Sequence, residues 1–460
     1  MPQDLSKLDA IATIAAFKSG AVTPADYAEG VIERAAKNNH LNALQSFAET
    51  ALTSHSQAAF EGAPDGMLAG LPVLAKDNIN TNTYPTSGGT KSLLDHTPKT
   101  NAGVVNRIMD AGGFIAAKTS MHELAFGITS NNAVTGPVRN PVDPEMIAGG
   151  SSGGTAAAVA AGIFPIGLGT DTGGSCRIPA ALCGVVGFRP TTGRYDSEGV
   201  LPISHTRDTV GTIARSVRDI ALMDNVLSSE IADERNVDLS QVTLGVPGDR
   251  FFDDLELAVA RAIEAQLLVL SNAGAKLIDV SFEPIWGHND AFGFPVVLYE
   301  VMRDLPAYLA EYAPDTSFEK LIASIGSPDV AGAIASQMGT DAMPKAAYDA
   351  AMNEHRPAMR KIYTKVFEDH GLDAIVFPTT PLTARPIGHD ETVELNGAQV
   401  PTFPTYIRNT DLGSNIGAPG ISLPCPITSG LPVGIEFDAL PGQDRGLLAL
   451  AMAVEKAMAQ

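Results

Sequence analysis

The chain has 460 residues and carries 31 Lys and Arg against 52 Asp and Glu, a formal net charge of −21. This excess of negative charge disfavours binding to DNA, RNA or an anionic membrane, because such partners attract dense positive charge. The composition, 45% hydrophobic and 18% charged, is that of a folded globular protein. We therefore expect neither a nucleic-acid partner nor a membrane partner.

Three features of the sequence predict a cytoplasmic protein. The N-terminus carries acidic and polar residues where a signal peptide has a basic start and an apolar stretch. The longest uncharged run, 146–170, consists mostly of small residues and lacks the ~20 predominantly apolar residues of a membrane-spanning helix. Cys176, Cys183 and Cys425 have no zinc-ribbon or thioredoxin spacing, so we interpret them as buried thiols in a reducing compartment.

Helices and short apolar strands alternate along the chain. Two helices are predicted in the first forty residues, and the second begins at residues 23–24, where a threonine hydroxyl precedes a proline. A helix over 104–109 ends at the glycine pair 112–113, and an apolar strand over 114–117 follows. This order is typical of an α/β protein.

The same order returns in the second half of the chain. The sequence predicts a strand over 242–246, a helix over 255–270, strands over 276–280 and 374–377, and a closing amphipathic helix over 447–458. We therefore predict a large mixed, mostly parallel β-sheet covered by helices on both faces, an α/β/α sandwich.

The chain is predicted to be a single domain, 1–460. Within it, residues 285–365 differ from the rest, because their bulky apolar and aromatic residues are scattered in a helix-leaning pattern rather than gathered in strand runs. We interpret this stretch as an insertion over the sheet that shapes a substrate pocket.

Two clusters of glycine and serine stand out, at 149–155 and 169–177. An alanine-rich helix after the first cluster places Ser151 and Ser152 at a helix start, where unpaired N–H groups favour developing negative charge. An apolar strand before the second places Ser175 on a tight turn, whose glycines can direct N–H groups toward one point. That is the geometry of an oxyanion hole, although a Gly-Gly-Ser sequence is more often only a turn.

Other motif interpretations are weaker. Neither cluster has the Gly-Lys-Ser/Thr ending of a P-loop or a G-x-G-x-x-G after a strand. Residues 149–153 fit the G-x-S-x-G elbow of α/β-hydrolases, but that fold needs a strand directly before the motif, and residues 140–146 are polar and broken by proline. Because no later histidine lies in a setting that marks a base, we interpret this match as chance.

A serine nucleophile without a histidine base can be activated by a lysine. Lys76 is the candidate, because it follows the apolar run 70–75 and so ends a buried strand. The alternative is a strand-end lysine that extends to solvent, which is the commoner fate of such residues. A base near pH 7 needs a pKa about three units below the ordinary lysine value of about 10.4, and burial can supply that shift.

These residues together resemble the amidase signature family. Residues 149–160, 169–180 and 183–193 follow its signature almost continuously, and Ala75-Lys-Asp-Asn, 136–141 and 430–434 look like its other landmarks. The resemblance covers nearly the whole chain apart from 285–365. It implies the amidase-signature fold, with the catalytic core within residues 60–215.

The resemblance also implies a Ser-cisSer-Lys triad. Ser175 is the implied nucleophile, Ser151 the cis-serine 24 positions earlier, and Lys76 the base. Ser151 would relay a proton from Ser175 to neutral Lys76 as Ser175 attacks the amide carbon, and water would hydrolyse the acyl-enzyme. The implied oxyanion donors are the N–H groups of Thr172, Gly173, Gly174 and Ser175, and the implied supporting residues are Ser152 and the ion-paired Asp171 and Arg177.

Residues 201–211 and 406–415 look similar to the indoleacetamide and mandelamide hydrolases of this family. The implied substrate is a small primary amide with an arylalkyl or aromatic side, cleaved to a carboxylic acid and ammonia. Ala125 and Phe126 are then expected to line the acyl site, which Trp286, Phe292 or Tyr299 would complete.

The alternative is the glutaminase A subunit of a tRNA-dependent amidotransferase, which shares the triad. The strong acidity and the two similar segments argue against it. No cofactor is expected, and no metal, because the His, Cys and acidic residues show no spacing such as H-E-x-x-H. A homodimer is retained as a possible assembly.

Overall fold

The computed structural model describes residues 5–230, 236–340, 342–426 and 430–459. The strands in these residues are β1 (Leu44–Phe47), β2 (Pro72–Lys76), β3 (Phe114–Thr119), β4 (Asn131–Asn132), β5 (Gly136–Pro137), β6 (Ile166–Asp171), β7 (Val186–Arg189), β8 (Thr209–Ala214), β9 (Thr243–Pro247), β10 (Lys276–Val280), β11 (Ala374–Pro378), β12 (Thr392–Leu395), β13 (Ala398–Pro401), β14 (Gly420–Pro424) and β15 (Gly434–Asp438).

The α-helices in the same residues are α1 (Ala10–Ser19), α2 (Pro24–Lys37), α3 (Glu49–Gly62), α4 (Gly103–Asp110), α5 (Gly153–Ala160), α6 (Arg177–Cys183), α7 (Val217–Ser228), α8 (Leu257–Asn272), α9 (Trp286–Asp290), α10 (Gly293–Tyr312), α11 (Phe318–Ala323), α12 (Pro328–Ala335), α13 (Lys345–Ala350), α14 (Arg356–His370), α15 (Thr402–Ile407), α16 (Asp411–Ile416) and α17 (Asp444–Met458). A π-helical turn, Ala351–His355, joins α13 to α14.

One large sheet organises the fold. Its strand order is β1-β3-β2-β6-β8-β7-β14-β15-β11-β9-β10, and β4-β5 and β12-β13 form two small separate pairs. The α/β class and the mixed sheet predicted from the sequence are confirmed.

The sheet is not mostly parallel, however. Parallel pairing is confined to two flanks, β3-β2-β6 and β11-β9-β10, while the strands between them pair antiparallel. A parallel pair needs a long crossover, usually a helix. Residues 190–208, which connect β7 to β8, contain no α-helix, so the chain returns antiparallel.

Helices cover both faces of the sheet, because successive strand residues enter two different cores. In β2, Val73 and Ala75 pack in the core that contains helices α4, α7 and α17, whereas Leu74 packs with α2 and α5 in the other. This alternation is the two-residue period of a strand buried on both sides. The layered arrangement agrees with the predicted α/β/α sandwich.

Local signals set several element boundaries as predicted. Helix α2 begins at Pro24, and Thr23 Oγ1 accepts a hydrogen bond from the N–H of Asp26. Strand β3 follows a turn in which Gly112 has a φ of +87°, a conformation that glycine adopts without strain.

Between β10 and β11 the described residues contain helices α9 to α14 and no strand. The division into a catalytic core and an insertion stays a prediction. In the described part of the chain, no helix is both long enough and apolar enough to cross a membrane.

Candidate active site

Two neighbouring parallel strands and one helix bring the predicted site residues to the same edge of the sheet. Strand β2 ends at Lys76, and β6, which pairs with it, ends at Asp171. The turn after Asp171 carries Ser175, and α5 begins directly after Ser152. The carboxyl ends of parallel strands are the usual place for a ligand site in an α/β sheet.

Lys76 does not reach solvent; its side chain is fully buried. Its Nζ lies 2.7 Å from Ser151 Oγ and 2.8 Å from Thr170 Oγ1. Thr170 Oγ1 also accepts a hydrogen bond from Asn78 Nδ2, at 3.1 Å. The snorkelling alternative for this lysine is therefore wrong.

Burial lowers the pKa of Lys76 from the ordinary value of 10.5 to about 8, although Cys176 and the carboxylates of Asp171 and Asp208 partly oppose the shift. At pH 7 a group with a pKa of about 8 is neutral in about a tenth of the molecules. Lys76 can therefore accept a proton near neutral pH.

Ser151 and Ser152 lie at the start of α5, as predicted, and both are fully buried. The peptide bond between Gly150 and Ser151 is cis. Ser152 Oγ donates to the carbonyl oxygen of Thr170 at 3.1 Å, and Ser152 N–H donates to that of Ser175 at 3.2 Å. Ser152 thus joins the helix start to both strand β6 and the turn after it.

Ser175 faces a cavity of about 100 Å³ and is 7% exposed. Within the described residues, Ser175 Oγ makes no hydrogen bond to Ser151 Oγ. The hydrogen bond from Lys76 to Ser151 is therefore not continued to Ser175. The residues that line the cavity are Ala125, Phe126, Gly127, Ile128, Thr172, Gly173, Ser175, Ile203, Arg207, Gly293, Phe294, Val297, Phe403, Ile407 and Asp411.

The lining includes Ala125 and Phe126, the two residues expected at the acyl site. The contribution from 285–365 differs from the expectation: Phe294 and Val297 of α10 reach the cavity, rather than Trp286, Phe292 or Tyr299. Trp286 and Phe292 pack in a separate hydrophobic cluster, and Tyr299 stacks on Tyr348 with ring centroids 4.3 Å apart.

Asp171 fixes the turn that carries Ser175. Its carboxylate accepts hydrogen bonds from the N–H groups of Gly174, at 2.8 Å, and Cys176, at 3.0 Å. The Gly174 N–H is therefore directed at Asp171, which corrects its expected place among the oxyanion donors. The N–H groups of Thr172, Gly173 and Ser175 remain as candidates for that role.

The Asp171–Arg177 ion pair, Nη2 to Oδ1 at 3.1 Å, belongs to a larger buried network. Arg189 also pairs with Asp171 Oδ1 at 3.1 Å, and Glu436 pairs with Arg177 Nη1 at 2.5 Å. Burial alone would raise the pKa of Asp171, but the charges of Arg177 and Arg189 outweigh it and hold that pKa below its ordinary value.

Sequence reasoning missed several of these residues. Thr170 and Asn78 flank the predicted triad in the sequence, and their polar side chains beside buried strands were an available signal. Arg189 was also missed. Glu436 and Arg207 left a weaker signal, because their partners Arg177 and Asp411 lie more than 200 positions away in the chain.

The chain is similar to known proteins along nearly its whole length. A family model described as Amidase matches residues 26–448. An indoleacetamide hydrolase of Rhizobium radiobacter is 45% identical over 392 residues, which are 85% of this chain and 84% of that protein. A mandelamide hydrolase of Pseudomonas putida is 37% identical over 99% of this chain and 92% of its own length. A crystal structure of an amidase superposes with a TM-score of 0.87 and 36% identity, covering 98% of this chain and 100% of the other.

The fold and these similarities define an enzyme that hydrolyses carbon–nitrogen bonds of amides. The chain belongs to the amidase family, as its resemblance to the amidase signature implied.

Proposed function

We propose that the protein hydrolyses small arylalkyl amides to a carboxylic acid and ammonia through an acyl-enzyme on Ser175. The observation that carries the proposal is the fully buried contact between Lys76 Nζ and Ser151 Oγ, 2.7 Å, next to the cavity that Ser175 lines. This contact supports Lys76 as the base and Ser151 as the relay hydroxyl, and the adjacent cavity supports Ser175 as the nucleophile.

In the proposed mechanism, neutral Lys76 takes a proton from Ser151 while Ser151 takes the proton of Ser175. Ser175 Oγ then forms a bond to the amide carbon. The hydrogen bond between the two serines forms with substrate bound, as catalytic hydrogen bonds often do. The N–H groups of Thr172, Gly173 and Ser175 stabilise the tetrahedral oxyanion, and loss of one such donor costs about 3 to 4 kcal/mol.

Collapse of the tetrahedral intermediate breaks the carbon–nitrogen bond, and Ser151 returns the proton to the leaving amine, which departs as ammonia. Water then attacks the acyl-enzyme by the same proton path, which regenerates Ser175 and Lys76.

The cavity supports an apolar acyl group. Its walls are formed largely by aromatic and aliphatic side chains, among them Phe126, Phe294, Val297, Phe403 and Ile407. Its volume of about 100 Å³ is on the scale of one small ring, since an apolar cavity of about 150 Å³ accommodates benzene. The names of the indoleacetamide and mandelamide hydrolases point to the same substrate class.

The glutaminase alternative is less well supported. L-Glutamine carries a free ammonium and a free carboxylate on its acyl part, and both need charged partners. Arg207 and Asp411 are the charged residues of the cavity lining, and they pair with each other. A cytoplasmic location and a homodimer stay predictions.

The test is ammonia release by the purified chain from phenylacetamide and indole-3-acetamide, with L-glutamine as the comparison. We expect turnover of the arylacetamides without a partner protein, and a fluorophosphonate adduct on Ser175 in peptide mass spectra. Ser175→Ala should abolish both, whereas Ser54→Ala, on the exposed face of α3, should abolish neither. An adduct on another residue, or turnover of glutamine alone, would overturn the proposal.

A further inference from the structure

Thr172, at the start of the turn that carries Ser175, has a side-chain contact outside that turn. Its hydroxyl donates a hydrogen bond to Asp208 Oδ1 at 2.6 Å. Thr172 lines the Ser175 cavity, and its N–H is one of the candidate oxyanion donors. Asp208 does not line that cavity. The contact therefore joins a residue of the proposed reaction site to a carboxylate behind it.

The register of the sheet brings these two side chains together. Strands β6 and β8 pair antiparallel, and the last pair of their ladder joins Asp171 to Thr209. The next residues are Thr172 after β6 and Asp208 before β8, so the two continue the same register beyond the strand ends. Side chains directly opposite each other on antiparallel strands lie about 4.5 to 5.5 Å apart at Cβ, which allows a hydrogen bond between them.

Asp208 is itself fixed by the loop before β8. Its other carboxylate oxygen, Oδ2, accepts from the N–H groups of Ile203, at 2.8 Å, and Ser204, at 2.9 Å. The N–H of Asp208 donates to the carbonyl oxygen of Ser204 at 2.7 Å. One carboxylate oxygen thus closes the loop over 203–208, and the other holds Thr172.

A buried glutamate of α10 anchors that loop. Glu300 is 1% exposed, and its Oε2 accepts from Ser204 Oγ at 2.5 Å and from the N–H of Thr206 at 3.1 Å. Its Oε1 accepts from Tyr348 Oη at 2.9 Å. Because the loop is held in this way from the side of α10, the carboxylate of Asp208 has a fixed position from which to hold the turn.

We propose that Asp208 is a positioning residue for the oxyanion hole. Its carboxylate holds the side chain of Thr172, so that the N–H groups of Thr172 and Gly173 point at the place where the substrate oxygen becomes negative. The inference rests on the amide hydrolysis proposed above, in which these N–H groups stabilise the tetrahedral oxyanion. Asp208 acts through Thr172 and does not touch the substrate.

A role in positioning these donors affects the transition state more than the bound substrate. The oxyanion forms only as Ser175 Oγ attacks, so correctly oriented donors stabilise the transition state and not the ground state. Loss of the contact should therefore lower kcat and leave KM nearly unchanged. A donor that is removed entirely costs about 10²- to 10³-fold in kcat, so misaligned donors should cost roughly 10- to 100-fold.

The experiment measures kcat and KM for phenylacetamide in variants of both residues. Thr172→Val, which keeps the shape but removes the hydroxyl, and Asp208→Ala should each lower kcat by roughly 10- to 100-fold, with KM within about 3-fold of the wild-type value. The double variant Thr172→Val/Asp208→Ala should be no slower than the slower single variant, because both substitutions remove the same contact.

Asp208→Asn distinguishes the hydrogen bond from the charge. The amide oxygen of asparagine accepts from the two loop N–H groups, while its NH2 group donates to Thr172 Oγ1, so the contact is kept without the charge. We expect Asp208→Asn to recover most of the kcat that Asp208→Ala loses. Equal losses in these two variants would show that the reaction needs the ionised carboxylate and not the contact, which would overturn the inference.

The matched control is Thr191→Val, which removes another threonine hydroxyl bonded to a carboxylate, Asp444 Oδ2, at 2.6 Å, outside the cavity. It should keep the wild-type kcat. An unchanged kcat in Thr172→Val, a loss that appears in KM alone, or losses that multiply in the double variant would overturn the inference even if the wild-type enzyme hydrolyses phenylacetamide well. Absence of turnover by the wild-type enzyme would instead contradict the proposed function. If Asp208→Ala does not fold, the kcat and KM of Thr172→Val still decide.

Discussion

Lys76 and Lys118 are two buried lysines on adjacent parallel strands. Lys118 on β3 is in register with Ala75, the residue before Lys76 on β2, and both side chains are fully buried. Burial lowers the pKa of each to about 8. Only Lys76 contacts Ser151; Lys118 Nζ donates to the carbonyl of Ile79 and to Thr86 Oγ1, both at 2.7 Å, and lies 3.6 Å from Asp77 Oδ1. Low pKa alone therefore does not define the base.

The pH dependence of kcat/KM should follow Lys76. Because the neutral amine is the active form, kcat/KM should rise as pH increases through about 8 and reach a plateau above it, instead of rising near the ordinary value of 10.5. A profile measured from pH 6 to 10.5 by ammonia release checks this. Lys76→Met should lower kcat by roughly 10²- to 10⁴-fold, the usual contribution of a general base.

Lys118→Met is the matched control for that titration. It removes a second buried lysine whose pKa is also lowered by burial. The inflection in the pH profile should therefore persist in whatever activity remains. If the inflection disappears in Lys118→Met, or if the wild-type profile is flat between pH 7 and 9, the assignment of Lys76 as the base is wrong.

Gly174 should not tolerate a side chain. Its φ of +139° is a backbone conformation that L-residues rarely adopt, and a Cβ atom there would lie 2.2 Å from Thr410 Oγ1 and 2.8 Å from Ile178 Cδ1. Gly174→Ala should destabilise the fold by at least ~1 to 3 kcal/mol and abolish turnover, because the turn that carries Ser175 must shift. Thermal unfolding and ammonia release measure both effects.

A second glycine serves as the control that distinguishes a steric clash at Gly174 from a general effect of replacing glycine by alanine. Gly332 lies inside α12 with nothing within 4 Å of its Cβ position, so Gly332→Ala should keep activity and stabilise the helix by up to ~1 kcal/mol. Equal loss of stability in both variants would contradict the steric argument.

The mouth of the cavity should select for aromatic acyl groups. Phe294 is 57% exposed and lies 6.1 Å from Phe403, centroid to centroid, with both rings on the cavity wall. Phe294→Ala should lower kcat/KM for phenylacetamide by roughly 2- to 10-fold, chiefly through KM, because an aromatic contact contributes about 0.5 to 1.5 kcal/mol. The value for propionamide should change little.

Leu268→Ala serves as the control for that variant. Leu268 is 61% exposed on α8 and does not line the cavity, so its removal should affect neither substrate. A uniform loss on both amides in Phe294→Ala would argue that the ring supports the fold and does not bind substrate.

The sequence was most informative where structure depends on neighbouring residues. The helix that begins at Pro24, the strand over 276–280 and the helix start after Ser152 all follow from local capping, apolar runs and glycines. The strand order was not predictable in this way, because pairing such as β7 with β14 joins residues more than 200 positions apart. Pattern alone likewise does not distinguish a parallel neighbour from an antiparallel one.

The residues of the candidate site also divide into those that local sequence could predict and those that depend on long-range packing. Lys76, Ser151 and Ser175 lie in contiguous motifs, so the sequence could nominate them. The contact between Arg207 and Asp411, 204 residues apart, depends on how α16 and the residues before β8 pack around the cavity. The direction of the Gly174 N–H depends on the fold of its turn, which composition does not specify.

Asp171 and Asp438 should have opposite effects on stability, although both are fully buried near Arg177. Arg177 and Arg189 hold the pKa of Asp171 below its ordinary value, so its ionised form stabilises the fold at neutral pH. Asp171→Asn should destabilise the protein by about 3 to 5 kcal/mol at pH 7, as expected when one partner of a buried pair is removed.

Burial raises the pKa of Asp438 to about 6, and the nearby Glu436 carboxylate belongs to the same cluster. Its protonated form is therefore favoured in the folded state, and the stability it contributes is present below pH about 4 and lost as pH rises toward 6. Asp438→Asn, which mimics the protonated acid, should leave the midpoint of urea unfolding at pH 7.5 unchanged or raised, and should flatten the decline between pH 4 and 6. A loss of stability in Asp438→Asn as large as that in Asp171→Asn would show that Asp438 is ionised and paired in the folded protein.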